Sequence, residues 1–371
     1  MPLKQSKADS LNNLHRILLR LLSCSLGNID FVDIPKDVNL QELRQLSIRQ
    51  GVHSIALDGL NKGGKKQREW TQPETDVLMD WLWQTNVSET HYDHYRQTIA
   101  RLASLFHAHN LRMMLLKGYG CSLNYPIPNH RPCGDIDIWM FGKREEADRI
   151  VANTFSVNIA FGNEHHSKFY LGKILVENHE TILDTNAHKS SQYLNSILEN
   201  LAEESIPKDI DGTTLYIPSV KFNSIHLLRH MASDFATVNI SLRHILDWST
   251  FIFANASAID WNYIHEIANK TNMNRFLDAI NSICVHYLKY PSECFPVQRQ
   301  DDKLRDKVLN EILCNEDTDE RHITHLTFTE KISYGFRKTA RLWRNRWKYR
   351  IVYDENLLFS FVTLSKNRLT H

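Results

Sequence analysis

The chain predicts an α+β fold, a small mixed β-sheet core flanked by N- and C-terminal helical regions, and three observations carry that prediction. The first is Gly134-Asp135-Ile136-Asp137-Ile138-Trp139-Met140, an acidic-apolar alternation. Side chains alternate across a strand, so Ile136 and Ile138 enter a core while both carboxylates share the opposite face. The second is Leu111 to Leu116 (LRMMLL), a short apolar strand running into Lys117-Gly118-Tyr119-Gly120. A strand, a glycine turn and a helix start bring backbone N–H groups to a place that suits phosphate. The third is the leucine spacing on either side of this segment, which has the helical period.

Taken in order, Asp9 to Cys24 and Leu40 to Gly51 read as helices, the second with Leu43 and Leu46 on one face. Gly59 to Lys66, rich in glycine and lysine, reads as an exposed loop. Pro73 to His107 reads as a long helix with Leu78, Trp81 and Leu82, then Ile99, Leu102 and Leu105, as packing stripes. The core follows, with strands at Leu111–Leu116, at Asp135, near Val157 to Phe161, at Lys168 to Leu171, at Glu177 and at Thr213 to Ile217. A charged helix covers Lys143 to Asn153. His165-His166 falls between these strands and reads as loop decoration, with a substrate role left open. Helices return at Phe222 to Phe235 and Leu242 to Phe253. The expected division is 1–108 helical, 109–218 core, 219–330 helical and 331–371 a basic aromatic tail.

Length and composition fit a globular protein. The chain of 371 residues is 42% hydrophobic and 23% charged, enough for two or three substructures with real cores. A net charge of +1 gives no global attraction to nucleic acid or membrane. The six cysteines form no CxxC pair, which argues against a zinc ribbon or redox motif. The first residues, MPLKQSKADS, lack a signal-peptide pattern, so a cytoplasmic location is expected.

Two carboxylates on a rigid strand suit a hard divalent cation such as Mg²⁺, which takes oxygen ligands and shares them with substrate phosphates. Glu177, in Val176-Glu177-Asn178-His179, shares a face with His179. Each of these has a plainer reading. The acid pair can be solvated charge on a sheet, Lys117 a solvated strand end, Arg131 a surface residue or a partner for Asp135, and His179 a half-buried histidine. His226 and His230 stand at i, i+4, a zinc-binding spacing, but Ile225-His226-Leu227-Leu228-Arg229-His230 lacks the metalloprotease glutamate and reads as packing. Arg243 and Asp247, also i, i+4, read as a helix-surface pair.

Leu115-Leu116-Lys117-Gly118, Tyr125-Pro126, Arg131 and Gly134-Asp135-Ile136-Asp137-Ile138 together resemble the uncharacterised bacterial nucleotidyltransferases, a branch of the DNA polymerase β-like nucleotidyltransferase superfamily. The sharp motifs lie between Leu115 and His179. The resemblance implies a Mg²⁺-dependent enzyme, with two metal ions, that transfers NMP from an NTP donor to an acceptor. Asp135, Asp137 and Glu177 would hold metal, and Lys117, Gly118, Gly120, Arg131 and His179 would contact nucleotide or phosphate. It also implies that the Leu242-Arg243…Asp247-Trp248 helix closes over the nucleotide. The chain departs from the superfamily at Tyr119, where Gly-Ser or Gly-Gly is usual, so Lys117, Gly120 or Ser122 would have to replace the missing hydroxyl. The acceptor (a sugar phosphate, a small metabolite, a protein hydroxyl or an RNA end) is left open, the long flanking helices favouring a small molecule or a protein, and a catalytically inactive binding or regulatory protein on the same fold is the alternative. The segment Arg337 to Arg350 alternates basic and aromatic residues, which suits either packing or contact with an anionic membrane or polyanion.

Overall fold

Short strands with one-residue alternation pair into a mixed seven-stranded sheet, shown by a computed structural model that describes residues 11–62, 69–161, 165–186, 188–314 and 344–353. The strands are β1 (Met114–Leu115), β2 (Ile136–Trp139), β3 (Ala160–Phe161), β4 (His166–Leu171), β5 (Ile174–His179), β6 (Ile206–Ile210) and β7 (Thr213–Ile217), in the order β3-β4-β5-β2-β1-β7-β6. β2 runs parallel to β5 and β1 parallel to β7, and the other neighbours are antiparallel. The α+β expectation is met. The apolar run Leu111–Leu116 contributes only two residues of strand, and β6 was not expected. Pro207 lies inside β6, which is tolerable because β6 is an edge strand.

Among the described residues, four helices precede the sheet: α1 (Asn13–Ser25), α2 (Leu40–Arg49), α3 (His53–Lys62) and α4 (Gln72–Ala108). Asn39 caps α2 by accepting from the amides of Gln41 and Glu42. α4 starts with Pro73 in its first turn and with the Thr71 amide donating to Glu74 Oε2 at 2.9 Å. Its 37 residues link two cores. Trp81 packs with the helical regions, whereas Tyr92, Tyr95, Ile99, Leu102 and Phe106 pack under the sheet.

The loop expected from Gly59 is a correction. Gly59 lies inside α3, and a Cβ there would stand 2.0 Å from the Leu21 carbonyl oxygen of α1. Glycine is present because two helix backbones touch, not because the chain turns. Residues 63–68 of that segment lie outside the described part.

Within and after the sheet come α5 (Tyr119–Ser122), α6 (Arg144–Phe155) and α7 (Lys189–Ala202). α8 (Val220–Thr237), α9 (Leu242–Ala254), α10 (Trp261–Lys270), α11 (Asn274–His286) and α12 (Asp302–Leu313) follow. The two helical regions share one core: Ser23 donates to the Leu288 carbonyl at 2.8 Å, and Gln50 to that of Ile312 at 3.0 Å.

Of the basic aromatic tail, 344–352 is helical and packed. Trp347 meets Phe235 edge-on at 5.6 Å, and buried Lys348 pairs with Glu311 at 2.8 Å. Tyr349, Ile351, Val352 and Tyr353 are buried, while Arg344, Arg346 and Arg350 remain exposed. The aromatics therefore pack inward while the arginines stay on the exposed side. The rest of the tail lies outside the described residues. Among the described residues, no helix is long and apolar enough to cross a membrane.

Candidate functional site

The parallel pairing of β2 with β5 sets Asp137 directly beside Glu177, and the antiparallel pairing of β5 with β4 sets Glu177 beside Lys168. The next row on that face is Trp139, His179 and His166. Period-two alternation thus projects Asp137, Glu177 and His179 from one side of the sheet. Asn178 points the other way, donating to Asp148 Oδ1 at 2.8 Å and to the Arg144 carbonyl at 3.2 Å.

Asp137 is the electrostatic centre. Its side chain is 1% exposed, yet Lys117 Nζ lies 3.3 Å and His179 Nε2 3.0 Å from Oδ1. Burial alone would favour the neutral acid, but the Lys117 charge and the His179 hydrogen bond outweigh it and hold the carboxyl well below the usual range. Oδ2 is buried with no hydrogen-bond partner among the described residues. A buried carboxylate oxygen left unpaired is costly unless something completes it. Ligand atoms of Asp137, Glu177 and His179 lie within 4.8 Å of one another, close enough to share a cation. Glu177 itself is half-buried, with Lys168 Nζ at 3.3 Å and His166 Nε2 at 3.4 Å from Oε1.

Asp135 precedes β2 and is partly exposed; its carbonyl accepts the Tyr95 hydroxyl at 3.0 Å. That same hydroxyl explains Gly118. The residue has φ +65°, and a Cβ would stand 2.3 Å from Tyr95 Oη. Both the conformation and the space demand glycine. Gly120 has no comparable constraint, since a Cβ there would meet nothing within 4 Å. Lys117 keeps its charge: burial opposes it, but Asp137, Asp135 and Asp234 raise its pKa.

Two expected contributors are committed elsewhere. Arg131 is buried, and its guanidinium grips Asp247 of α9 through Nε–Oδ1 at 3.0 Å and Nη2–Oδ2 at 2.7 Å. Its fork therefore faces neither Asp135 nor solvent. Asp247 also accepts the Tyr125 hydroxyl at 2.7 Å, so the expected Arg243–Asp247 surface pair is replaced by a buried network. Ser122, a candidate for the missing phosphate hydroxyl, is fully buried and donates to the Tyr119 carbonyl at 2.7 Å. Tyr119 turns inward against Tyr92, ring centres 6.2 Å apart.

α8 brings in residues whose spacing along the chain reads as packing. His226 is buried, pushed down to about 3 by burial and then by Lys117. His230 lies well below its usual value for the same reasons. Asp234, 3.4 Å from His230, is pushed up to about 6 by burial, against the pull of Lys117 and Arg243. These shifts place one face of α8 within the field of Lys117 and Asp137. His230, Asp234 and His244 form a second group whose ligand atoms lie within 4.8 Å. His230 was visible only as half of an i, i+4 pair. Asp234 and His244 carried no local signal, because the packing of α8 and α9 is what brings Asp234 towards Lys117 and His244 against His230.

A mixed sheet with an acidic strand beside a strand–glycine element, held between helices, defines a nucleotidyltransferase-like class. The family model described as "Uncharacterised nucleotidyltransferase" matches residues 36–289, and the chain belongs to that family. Among solved structures, the chain is similar to an antigenic nucleotidyltransferase-like protein from Paracoccidioides brasiliensis, at 13% identity and a TM-score of 0.36, covering 56% of this chain and 98% of that one. No curated protein matches the chain.

Proposed function

We propose that the protein is a Mg²⁺-dependent nucleotidyltransferase that moves NMP from an NTP to a hydroxyl or phosphate acceptor. The observation that carries this reading is the buried Oδ2 of Asp137, without a hydrogen-bond partner among the described residues, on a residue in register with Glu177. Such a donor set fits Mg²⁺, a hard cation that prefers carboxylate oxygen. Asp135, Asp137 and Glu177 would hold the metal, two ions being the arrangement the fold suggests. When bound, the metal would neutralise charge on the triphosphate and on the attacking and leaving oxygens.

The protein's own groups would do the rest. Lys117, beside the Gly118 turn, would leave Asp137 Oδ1 for a phosphate oxygen, and the backbone of Gly118 and Gly120 would line the phosphates. Glu177 would orient the acceptor and take its proton as the acceptor oxygen bonds to the α-phosphorus and the bond to pyrophosphate breaks. His179, donating through Nε2, would fix the Asp137 rotamer. Arg131, through Asp247, would brace α9 against the Tyr125 segment in place of contacting phosphate.

A second reading, a nucleotide-binding or regulatory protein without turnover, is favoured by the inward-turned Tyr119 and the committed Ser122 hydroxyl. Calorimetry with each NTP and Mg²⁺, comparing the native chain with Asp135→Asn/Asp137→Asn, tests the site. Metal-dependent binding of an NTP, lost in the variant, supports a nucleotide site, and pyrophosphate release on adding acceptor candidates separates the two readings. No binding by a folded native chain sinks both. The exposed Arg344, Arg346 and Arg350 would carry any contact with an anionic membrane or polyanion, and salt-sensitive vesicle or RNA binding tests for it.

A further inference from the structure

His165, His166 and His179 form a nearly equilateral triangle, with ring centres 5.0, 5.1 and 5.1 Å apart. Strand register produces it. His166 stands directly across from His179 in the antiparallel β4–β5 pair. The His165 carbonyl accepts the Glu180 amide at 2.8 Å, which draws residue 165 alongside the end of β5. One ring nitrogen from each lies within 4.8 Å of the others. Three imidazoles bound tetrahedrally, with metal–nitrogen bonds of about 2.0–2.1 Å, hold their ring centres roughly 5 Å apart.

His179 supplies an independent, chemical argument. Its Nε2 lies 3.0 Å from Asp137 Oδ1. A carboxylate only accepts, so Nε2 carries the hydrogen, and in the neutral imidazole Nδ1 then keeps its lone pair. The residue is 7% exposed, and Nδ1 has no hydrogen-bond partner among the described residues. A ring whose N–H is held by a carboxylate while its other nitrogen is unspent is the arrangement metal-binding histidines adopt. His166 also lies beside a carboxylate, its Nε2 standing 3.4 Å from Glu177 Oε1.

We propose that His165, His166 and His179 bind a divalent transition metal of the zinc class, at a site distinct in chemistry from the carboxylates. Imidazole nitrogen suits zinc, cobalt or nickel, and Mg²⁺ keeps to oxygen. An ion there locks the His179 ring and, through Nε2–H, the orientation of Asp137. The site stands whether or not the protein turns over nucleotide.

The test is titration of the metal-free, untagged full chain with Co²⁺, followed by visible absorption. One equivalent should bind with the intense bands of four-coordinate cobalt, displaced by Zn²⁺ and indifferent to excess Mg²⁺. His165→Ala and His166→Ala should each weaken binding at least about tenfold, the scale of losing even a supporting group at a metal site. Asp135→Asn should leave the bands intact. A weak six-coordinate spectrum in the native chain overturns the proposal without reference to any variant. So does cobalt that Mg²⁺ displaces or that Asp135→Asn releases, since that ion sits on the carboxylates. Unchanged bands in both histidine variants, with circular dichroism reporting a native fold, overturn it as well.

Discussion

Arg131–Asp247 and Lys117–Asp137 are both buried ion pairs next to the same sheet, and they are finished to different degrees. In the first, both Asp247 oxygens accept from Arg131, Tyr125 adds a third bond, and Arg131 Nη1 donates to the Pro132 carbonyl at 3.0 Å. In the second, a lysine and a histidine crowd one oxygen of Asp137 while the other has no hydrogen-bond partner among the described residues. Ions taken out of water are tolerated when their hydrogen-bonding capacity is filled. A filled network belongs to the architecture, and an unfilled one leaves capacity for a further partner.

Breaking the complete pair should cost most. Asp247→Ala strands the Arg131 charge in a dry site, and loss of about 3–5 kcal/mol in urea unfolding is expected. A loss below 1 kcal/mol would mean that water reaches Arg131 and that the pair is no bracing element. Gly118→Ala should come next, at about 2–3 kcal/mol, because it combines a positive φ with a Cβ 2.3 Å from Tyr95 Oη. Adding Tyr95→Phe removes the oxygen but not the backbone strain, so thermal melts should recover only part of the loss. Full recovery would assign the whole requirement to the clash.

Asp137→Asn should cost no more than about 2 kcal/mol, since partly exposed Lys117 can swing to solvent. Metal-dependent nucleotide binding should nevertheless vanish in calorimetry. A cost equal to that of Asp247→Ala would erase the contrast between the two pairs.

The smallest effect distinguishes two acids by sign. The Asp137 carboxyl is depressed in the fold, so its contribution is present above the unfolded pKa near 4 and is lost as pH falls through its folded value. Asp234 is pushed up to about 6, so the folded state holds its proton more tightly and stability falls as pH rises from about 4 to 6. Asp234→Asn should flatten that slope and stabilise the chain at pH 7 by about 1 kcal/mol, discounted for partial exposure. Unfolding curves taken across this range check it, and an unchanged slope would remove Asp234 from the field of the site.

Much of this was readable along the chain, because the interactions that specify it are local. Alternation at Ile136–Ile138 and Val176–His179 named the strands and the shared face of Asp137 and Glu177. Helical spacing named α1, α2, α4, α8 and α9, and the strand–glycine–helix order named the family. Signals that depend on distant partners were misread. Gly59 looked like a turn because the Leu21 carbonyl it accommodates is 38 residues away in sequence. His165-His166 looked like loop decoration, because only the β4–β5 register sets His166 against His179. Arg131 looked like a phosphate ligand until the fold placed Asp247 across its fork. Periodicity and turn chemistry act over a few residues, so the sequence by itself determined which segments are strands and helices and which acids share a strand face. Pairing between strands and packing of α8 and α9 depend on surfaces brought together from across the chain, so only the tertiary structure decided which charges are complete, which oxygen is left open and which histidines converge.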